Sequence, residues 1–74
     1  FRVLAQVPFG VRRLRQRLDG EGWRATEILR RRFPVDPPDL ARDLRGAGHG
    51  GDQAVSLLCT RVDDRPVVFI CDPR

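Results

Sequence analysis

Hydrophobic residues recur at strand and helix periods along the chain, and these periods predict the elements of the first half. Residues 1–7 alternate as a β-strand does, with one predicted side formed by Phe1, Val3, Ala5 and Val7. Pro8 ends this strand. Three apolar residues then follow at helical spacing, namely Val11, Leu14 and Leu18. The pattern predicts a helix that ends at Gly20 or Gly22.

The second half continues with a strand, a short helix and a hairpin. We expect a strand from about Ala25 to Arg31. Asp36 as N-cap and Pro37 at the first helical position predict a second helix, which ends near Gly46 or Gly48. Residues 54–62 and 66–71 read as two strands of a hairpin. The order β-α-β-α-β-β predicts an α+β, two-layer sandwich with both helices on one face of a small mixed sheet.

Charge is distributed unevenly along this pattern. All 14 basic residues are Arg, and the formal net charge is +4. Residues 1–35 hold nine Arg against three acidic residues, a balance of +6, whereas residues 36–74 hold five Arg against seven Asp, a balance of −2. Arg suits phosphate recognition because its planar guanidinium presents several donors at once. The first half therefore predicts a basic face.

Two arginine groups are candidates for binding phosphate. Arg30, Arg31 and Arg32 are expected to end the second strand, and Arg12, Arg13, Arg15 and Arg17 lie beside the apolar stripe of the first helix. These seven residues are the predicted RNA-binding residues. The other interpretation is a solvated surface whose arginines pair with acidic residues such as Asp39 and Asp43. Both interpretations remain open at this point.

Groups that could support catalysis or metal binding are few. His49 is the single histidine, so no nucleophile–base relay is evident and we expect no catalytic residue. The segment GAGHGG at residues 46–51 lacks the Lys of a phosphate-binding loop. Cys59 and Cys71 do not have zinc-site spacing, so we expect no metal and two buried thiols. We expect Trp23 to pack in the core rather than to stack on a base.

The length of the chain and its lack of targeting signals predict the number of domains and the cellular location. A chain of 74 residues forms one small domain. It carries no signal peptide or long apolar run, so we expect a cytoplasmic protein with no membrane contact. Because it begins at Phe1 rather than Met, we expect residues 1–74 to be a piece of a longer protein.

Three segments together resemble a known family. VLAQVPFGVRRLRQRL, TEILRRRFPVDPPDLARDL and LLCTRVDDRPVVFI are similar to the THUMP-like domain at the carboxyl end of bacterial class I S-adenosylmethionine-dependent methyltransferases. The matching positions are Pro8 and Phe9, Leu14 and Leu18, Glu27, Ile28 and Arg31, Val35 and Asp36, and Thr60, Arg61 and Val62. The family usually has a small residue, often Gly, where this chain has Arg32, and a Gly in the hairpin where it has Asp63 and Asp64.

The resemblance implies a function that the residue patterns do not supply. It implies a non-catalytic accessory domain, itself without a cofactor, linked to a methyltransferase domain that binds S-adenosylmethionine. THUMP domains help RNA-modifying enzymes to bind RNA, so RNA is the expected partner and Arg31 the first expected phosphate contact. The alternative is a protein-interaction module that packs on the linked methyltransferase domain and stabilises it without binding nucleic acid.

Overall fold

The computed structural model describes residues 2–73 and has the predicted α+β architecture. Its strands are β1 (Arg2–Pro8), β2 (Trp23–Arg30), β3 (Gln53–Val62) and β4 (Arg65–Asp72). Its helices are α1 (Val11–Glu21) and α2 (Pro37–Asp43). The predicted element order, β-α-β-α-β-β, is confirmed.

The four described strands form one mixed sheet in the order β1-β4-β3-β2. β4 runs antiparallel to β1 and to β3, whereas β2 and β3 are parallel. β3 and β4 are therefore the central strands, which agrees with their apolar sequences. Asp63 and Asp64 form the two-residue hairpin loop, with φ angles of 51° and 63°. Such loops require positive φ, so Gly is the residue that fits them with least strain.

Both helices cover the same face of the sheet, as expected. Leu14 and Leu18 of α1 and Leu40 of α2 are fully buried. They pack in one cluster with a row of central-strand side chains, which comprises Val55, Leu57, Cys59, Val68 and Ile70. The β3 residues in this cluster are two positions apart, so one face of the sheet forms the core. The opposite face has no helix over it in the described part of the chain.

A β-bulge in β1 overturns one prediction about that strand. The register passes from Val3 opposite Cys71 to Ala5 opposite Ile70, so Leu4 is the additional residue. A bulge shifts the alternation by one residue. Val3 therefore leaves the core side that Ala5 and Val7 occupy and is 57% exposed. The expectation that all three share one side was wrong, and the expected position of Phe1 lies outside the described residues.

The ends of the elements agree with prediction in most places. Gly22, with φ of 68° in the left-handed region, ends α1, and Gly20 lies inside the helix. α2 stops at Asp43, which is earlier than predicted, and a series of turns follows through residue 50. β2 begins two residues earlier and ends one residue earlier than expected. No helix in residues 2–73 is long and apolar enough to span a bilayer.

Asp36 takes the predicted N-cap position, but its side chain makes no capping hydrogen bond. An N-cap side chain normally accepts from the second or third backbone N–H of the helix. Pro38 occupies the second position and has no N–H to donate. The Asp36 carboxylate pairs instead with the guanidinium of Arg30. This contact ties the start of α2 to the end of β2.

Candidate nucleic-acid interface

The end of β2 distributes its three consecutive arginines over different surfaces. Arg30 lies opposite Cys59, a core residue, and so belongs to the helix-covered side of the sheet. The backbone N–H of Arg31 still donates to the carbonyl of Cys59, at 2.8 Å. Alternation along an extended chain therefore directs Arg31 toward the opposite side. Arg32 then adopts a left-handed conformation, with φ of 53°, and turns the chain toward α2.

Arg30 and Arg32 meet a third arginine, which is not among the seven predicted RNA-binding residues. Arg30, Arg32 and Arg61 line an open depression of about 610 Å³, together with Phe33 and Asp64. Arg61 stands near the end of β3, and β3 runs parallel to β2. Parallel neighbours bring their carboxyl ends to the same edge of a sheet. A prediction that β2 and β3 pair in parallel would have identified Arg61. We call this set of five residues the arginine depression.

Packing beneath the arginine depression holds its loop in place. Phe33 is 7% exposed and belongs to the hydrophobic core. Its ring meets that of Phe9 edge-on, with centroids 4.7 Å apart and an interplanar angle of 80°. This geometry is a favourable one for aromatic pairs. Phe33 therefore anchors the segment that carries Arg32, and because it is buried it is not a platform for base stacking.

The charges of the arginine depression are only partly neutralised within the chain. Arg30 is paired with Asp36, and the lining also includes Asp64. In the described part of the chain, the side chains of Arg32 and Arg61 make no hydrogen bond or ion pair. Two guanidinium groups thus remain available beside a third whose partner is exposed. The arrangement can bind an anion that offers several acceptor oxygens, such as a phosphate group.

The α1 arginines have a different environment. Arg15 donates from Nη1 to the carbonyl oxygens of Asp43 and Arg45, at 3.0 and 2.9 Å, and so secures the end of α2. Arg17 lies with its guanidinium carbon 5.9 Å from the centre of the Trp23 ring and forms an ion pair with Glu21 at 3.9 Å. Both side chains therefore take part in intramolecular contacts.

Arg12 and Arg13, by contrast, are exposed. Within residues 2–73 their side chains make no hydrogen bond or ion pair. They remain predicted contacts for RNA, as do Arg15, Arg17 and Arg31.

Trp23 and the glycine-rich loop have structural roles. Trp23 is 8% exposed, and its indole N–H donates to Oε1 of Gln53 at 3.2 Å, in agreement with the expected core position. A Cβ at Gly48 would lie 1.8 Å from the carbonyl oxygen of Trp23, and the φ of Gly48 is 69°. The Gly48 N–H donates to the carboxylate of Asp19. The loop therefore packs against the start of β2.

The two cysteines occupy opposite faces of the sheet. Cys59 belongs to the helix-covered core, whereas Cys71 lies opposite Ser56 and Val3 on the other face. Burial raises the pKa of the Cys59 thiol to about 11, so the thiol stays protonated at neutral pH and is a poor nucleophile. Burial also raises the pKa of Cys71. Within residues 2–73, no group of three or more His, Cys, Asp or Glu side chains is placed to hold a metal ion.

These features define a small α+β domain with an arginine-lined depression where two parallel strands end. A family model described as THUMP domain-like matches residues 1–73. The chain therefore belongs to the THUMP domain-like family. No curated protein and no solved structure gives a significant match to the chain.

Proposed function

We propose that this chain is a non-catalytic module that binds RNA through phosphate contacts and positions it for a linked S-adenosylmethionine-dependent methyltransferase domain. The observation that carries the RNA-binding part is the arginine depression, where Arg30 and Arg32 at the end of β2 meet Arg61 of β3. Membership of the THUMP domain-like family supports an RNA ligand. The methyltransferase link rests on the resemblance of the sequence motifs, and the cofactor belongs to the linked domain.

The chemistry of the arginine depression suits the phosphates of a nucleic-acid backbone. A guanidinium donates two parallel hydrogen bonds to a phosphate or carboxylate and stays charged at any physiological pH. The RNA backbone carries one negative charge per nucleotide. Three guanidinium groups around one open depression can therefore contact its phosphates. Contacts of this kind set the position of a nucleic acid and do not read its sequence. Arg30, Arg32 and Arg61 are therefore the primary contacts, and the exposed Arg12, Arg13 and Arg31 add to the surrounding positive field.

A charge-removal experiment tests this proposal. The variant Arg30→Gln/Arg32→Gln/Arg61→Gln should bind unrelated RNA sequences more weakly by a similar factor. Each lost contact should also reduce the slope of log affinity against log salt by roughly 0.7 for single-stranded RNA. Fluorescence anisotropy with labelled RNA over a salt series measures both quantities.

A matched variant controls for net charge. Arg2→Gln/Arg42→Gln/Arg65→Gln also removes three positive charges, but from residues outside the arginine depression. This variant should retain most of the RNA affinity and of the salt slope. Equal losses in the two triple variants would show that only overall charge matters. Failure of the wild-type protein to bind any RNA at low salt would contradict the proposal. Melting curves for each variant establish that it is folded.

One observation favours the alternative, in which the module packs on the methyltransferase domain without binding nucleic acid. The face of the sheet opposite the helices exposes apolar side chains, with Val3 at 57% and Leu29 at 40%. Exposed apolar surface on a small domain often marks a protein contact. Under this alternative, Val3→Glu/Leu29→Glu should abolish binding to the separately produced methyltransferase domain and leave RNA binding unchanged. Co-purification of the two domains measures the first effect.

A further inference from the structure

We propose that the groove between β2 and α2 holds a stretch of single-stranded RNA and receives one unstacked base. This inference rests on the proposed RNA-binding function and adds the class of RNA and the path that it takes. The groove consists of two adjoining depressions of about 290 and 300 Å³. Both are lined by Ala25, Thr26, Ile28 and Ala41. The groove therefore follows β2 on the side that faces α2.

The part of the groove at the start of β2 combines an apolar lining with a cationic rim. Its apolar lining includes Ile28, Leu44 and Ala47, which are buried or half-buried. Arg24, Arg45 and His49 also line this part, and all three are exposed. A nucleotide joins an aromatic base, whose flat faces can pack on apolar surface, to an anionic phosphate, and the lining and the rim match these two parts. A pocket near 300 Å³ is at the lower limit for small-molecule sites, which suits a single base.

Internal contacts hold the two rim arginines in place. Arg24 donates from Nε to the carbonyl of Gly51 at 2.8 Å, so its terminal nitrogens are held near the rim with donors to spare. The carbonyl of Arg45 accepts from Arg15 at 2.9 Å, which fixes the backbone that carries the second guanidinium. Preorganised donors of this kind lower the entropic cost of binding an anion.

The other end of the groove leads to the arginine depression. Pro37 and Pro38, at the start of α2, line its second part, and Asp36 just before them pairs with Arg30. At about 3.3 Å per residue along a strand, Ala25 and Arg30 are roughly 16 Å apart. The groove thus has arginines at both ends, and between them its lining is mainly apolar with Thr26 and Glu27 as the polar members. A flexible chain of several nucleotides can follow such a path with phosphates at both ends.

The geometry favours single-stranded RNA over an RNA duplex or an acidic peptide. Bases in a duplex are stacked inside the helix and cannot enter a pocket, whereas unstacked bases can. An extended peptide would have to add to the edge of β2. The pairing of β2 with β3 has a register shift at Thr26, whose hydroxyl donates to the carbonyl of Val55 at 3.3 Å. A bulge of this kind bends the strand and hinders the addition of a further strand.

The experiment fills the groove and compares three labelled RNAs by fluorescence anisotropy. The RNAs are an oligouridylate of about 12 nucleotides, the same backbone without bases, and a duplex of similar length. Wild-type protein should prefer the oligouridylate. Ala41→Phe, at an exposed position that lines both parts of the groove, should lower oligouridylate affinity about tenfold. It should change the affinities for the base-free strand and the duplex less than about twofold.

Two further variants keep the test independent of any folding defect. Gln16→Phe adds the same ring at an exposed position of α1 and should leave all three affinities unchanged. Arg24→Gln/Arg45→Gln keeps the groove open and should weaken binding of the oligouridylate more than binding of the duplex. Melting curves report the folding of each variant.

The outcomes separate this inference from the proposed function. If RNA binds but wild-type protein does not distinguish the oligouridylate from the base-free strand or the duplex, the groove is not a base site, although RNA binding stands. Tight binding of a polyglutamate peptide that Ala41→Phe abolishes would assign the groove to a protein ligand and overturn the inference. Absence of all RNA binding would overturn both proposals.

Discussion

The arginines of α1 and those at the end of β2 have similar local sequences and different environments. On α1, Arg15 donates to two backbone carbonyls, one at the last residue of α2 and one just beyond it, and Arg17 lies over the ring of Trp23. Just after β2, the Arg32 side chain makes no hydrogen bond or ion pair within residues 2–73, and neither does the Arg61 side chain beside it. Arg15 and Arg17 thus serve the packing of the fold, whereas Arg32 and Arg61 present their charge to solvent.

A run of arginines therefore does not define a binding surface by itself. A guanidinium that already donates to carbonyls has fewer donors to offer a ligand, whereas one without partners offers its whole fork. The backbone of Arg32 also has an unfavourable conformation, because it is left-handed at φ of 53°. Such conformations are strained for residues other than Gly. The strain is a reason to look for function at Arg32.

The largest expected effect on stability concerns Arg15. Arg15→Ala removes two hydrogen bonds to carbonyls at the end of α2 and should lower the free energy of unfolding by about 1.5 kcal/mol. Arg15→Lys should restore part of this loss, because an ammonium group can reach one carbonyl. Arg12→Ala, on the same helix but without a partner, is the control and should change stability by less than about 0.5 kcal/mol. Urea titration measures the stability of all three variants. Equal losses for Arg12→Ala and Arg15→Ala would refute the structural role of Arg15.

Arg17 should have the next largest effect. Arg17→Ala removes the contact with the Trp23 ring and the pair with Glu21, which together should contribute about 0.5 to 1 kcal/mol to the free energy of unfolding. Tryptophan fluorescence should also change, since Trp23 is the single Trp of the chain. Arg13→Ala is the matched exposed control. A fluorescence spectrum that is unchanged in Arg17→Ala would show that the ring contact does not persist in solution.

Substitution of Arg32 by Gly should raise stability, whereas substitution of Arg15 or Arg17 by Ala should lower it. Arg32→Gly relieves the left-handed strain and should raise the free energy of unfolding by about 0.5 kcal/mol, since the greater flexibility of Gly in the unfolded chain offsets part of the gain. The same substitution removes a predicted phosphate contact and should lower RNA affinity. Arg32→Ala separates the two effects, because it removes the contact and keeps the strain. A simultaneous loss of stability and affinity in Arg32→Gly would contradict this interpretation.

The smallest stability effects are expected for Arg31 and Arg61, which nevertheless should differ in RNA binding. Arg31→Gln and Arg61→Gln each remove one charge from an exposed position and should change stability by less than about 0.5 kcal/mol. Arg61 lines the arginine depression, so its loss should reduce the salt slope by roughly 0.7, with a smaller change for Arg31. A larger change for Arg31 would favour the ranking that the family resemblance suggests.

Local sequence was sufficient for most of the fold. The apolar spacing of Leu14 and Leu18, the Asp36–Pro37 helix start and the β-rich final segment each act within a few residues, and they predicted every element and the α+β class. The concentration of arginine in the first half of the chain was also evident from the sequence. The three resembling segments indicated the family that the match over residues 1–73 confirmed.

Three features depended on contacts that the local sequence pattern does not specify. The bulge at Leu4, which exposes Val3, follows from the register of β1 against β4. The pairing of Asp36 with Arg30 replaced the expected side-chain cap.

The third feature is the arginine depression itself. Arg61 joined Arg30 and Arg32 because β2 and β3 lie side by side in parallel. Periodicity assigns a residue to a strand or helix and to one of its faces, but the neighbouring strand and its register are set by the packing of the whole sheet. The sequence by itself therefore determined the elements and the supply of positive charge, and the tertiary structure decided which arginines share a surface.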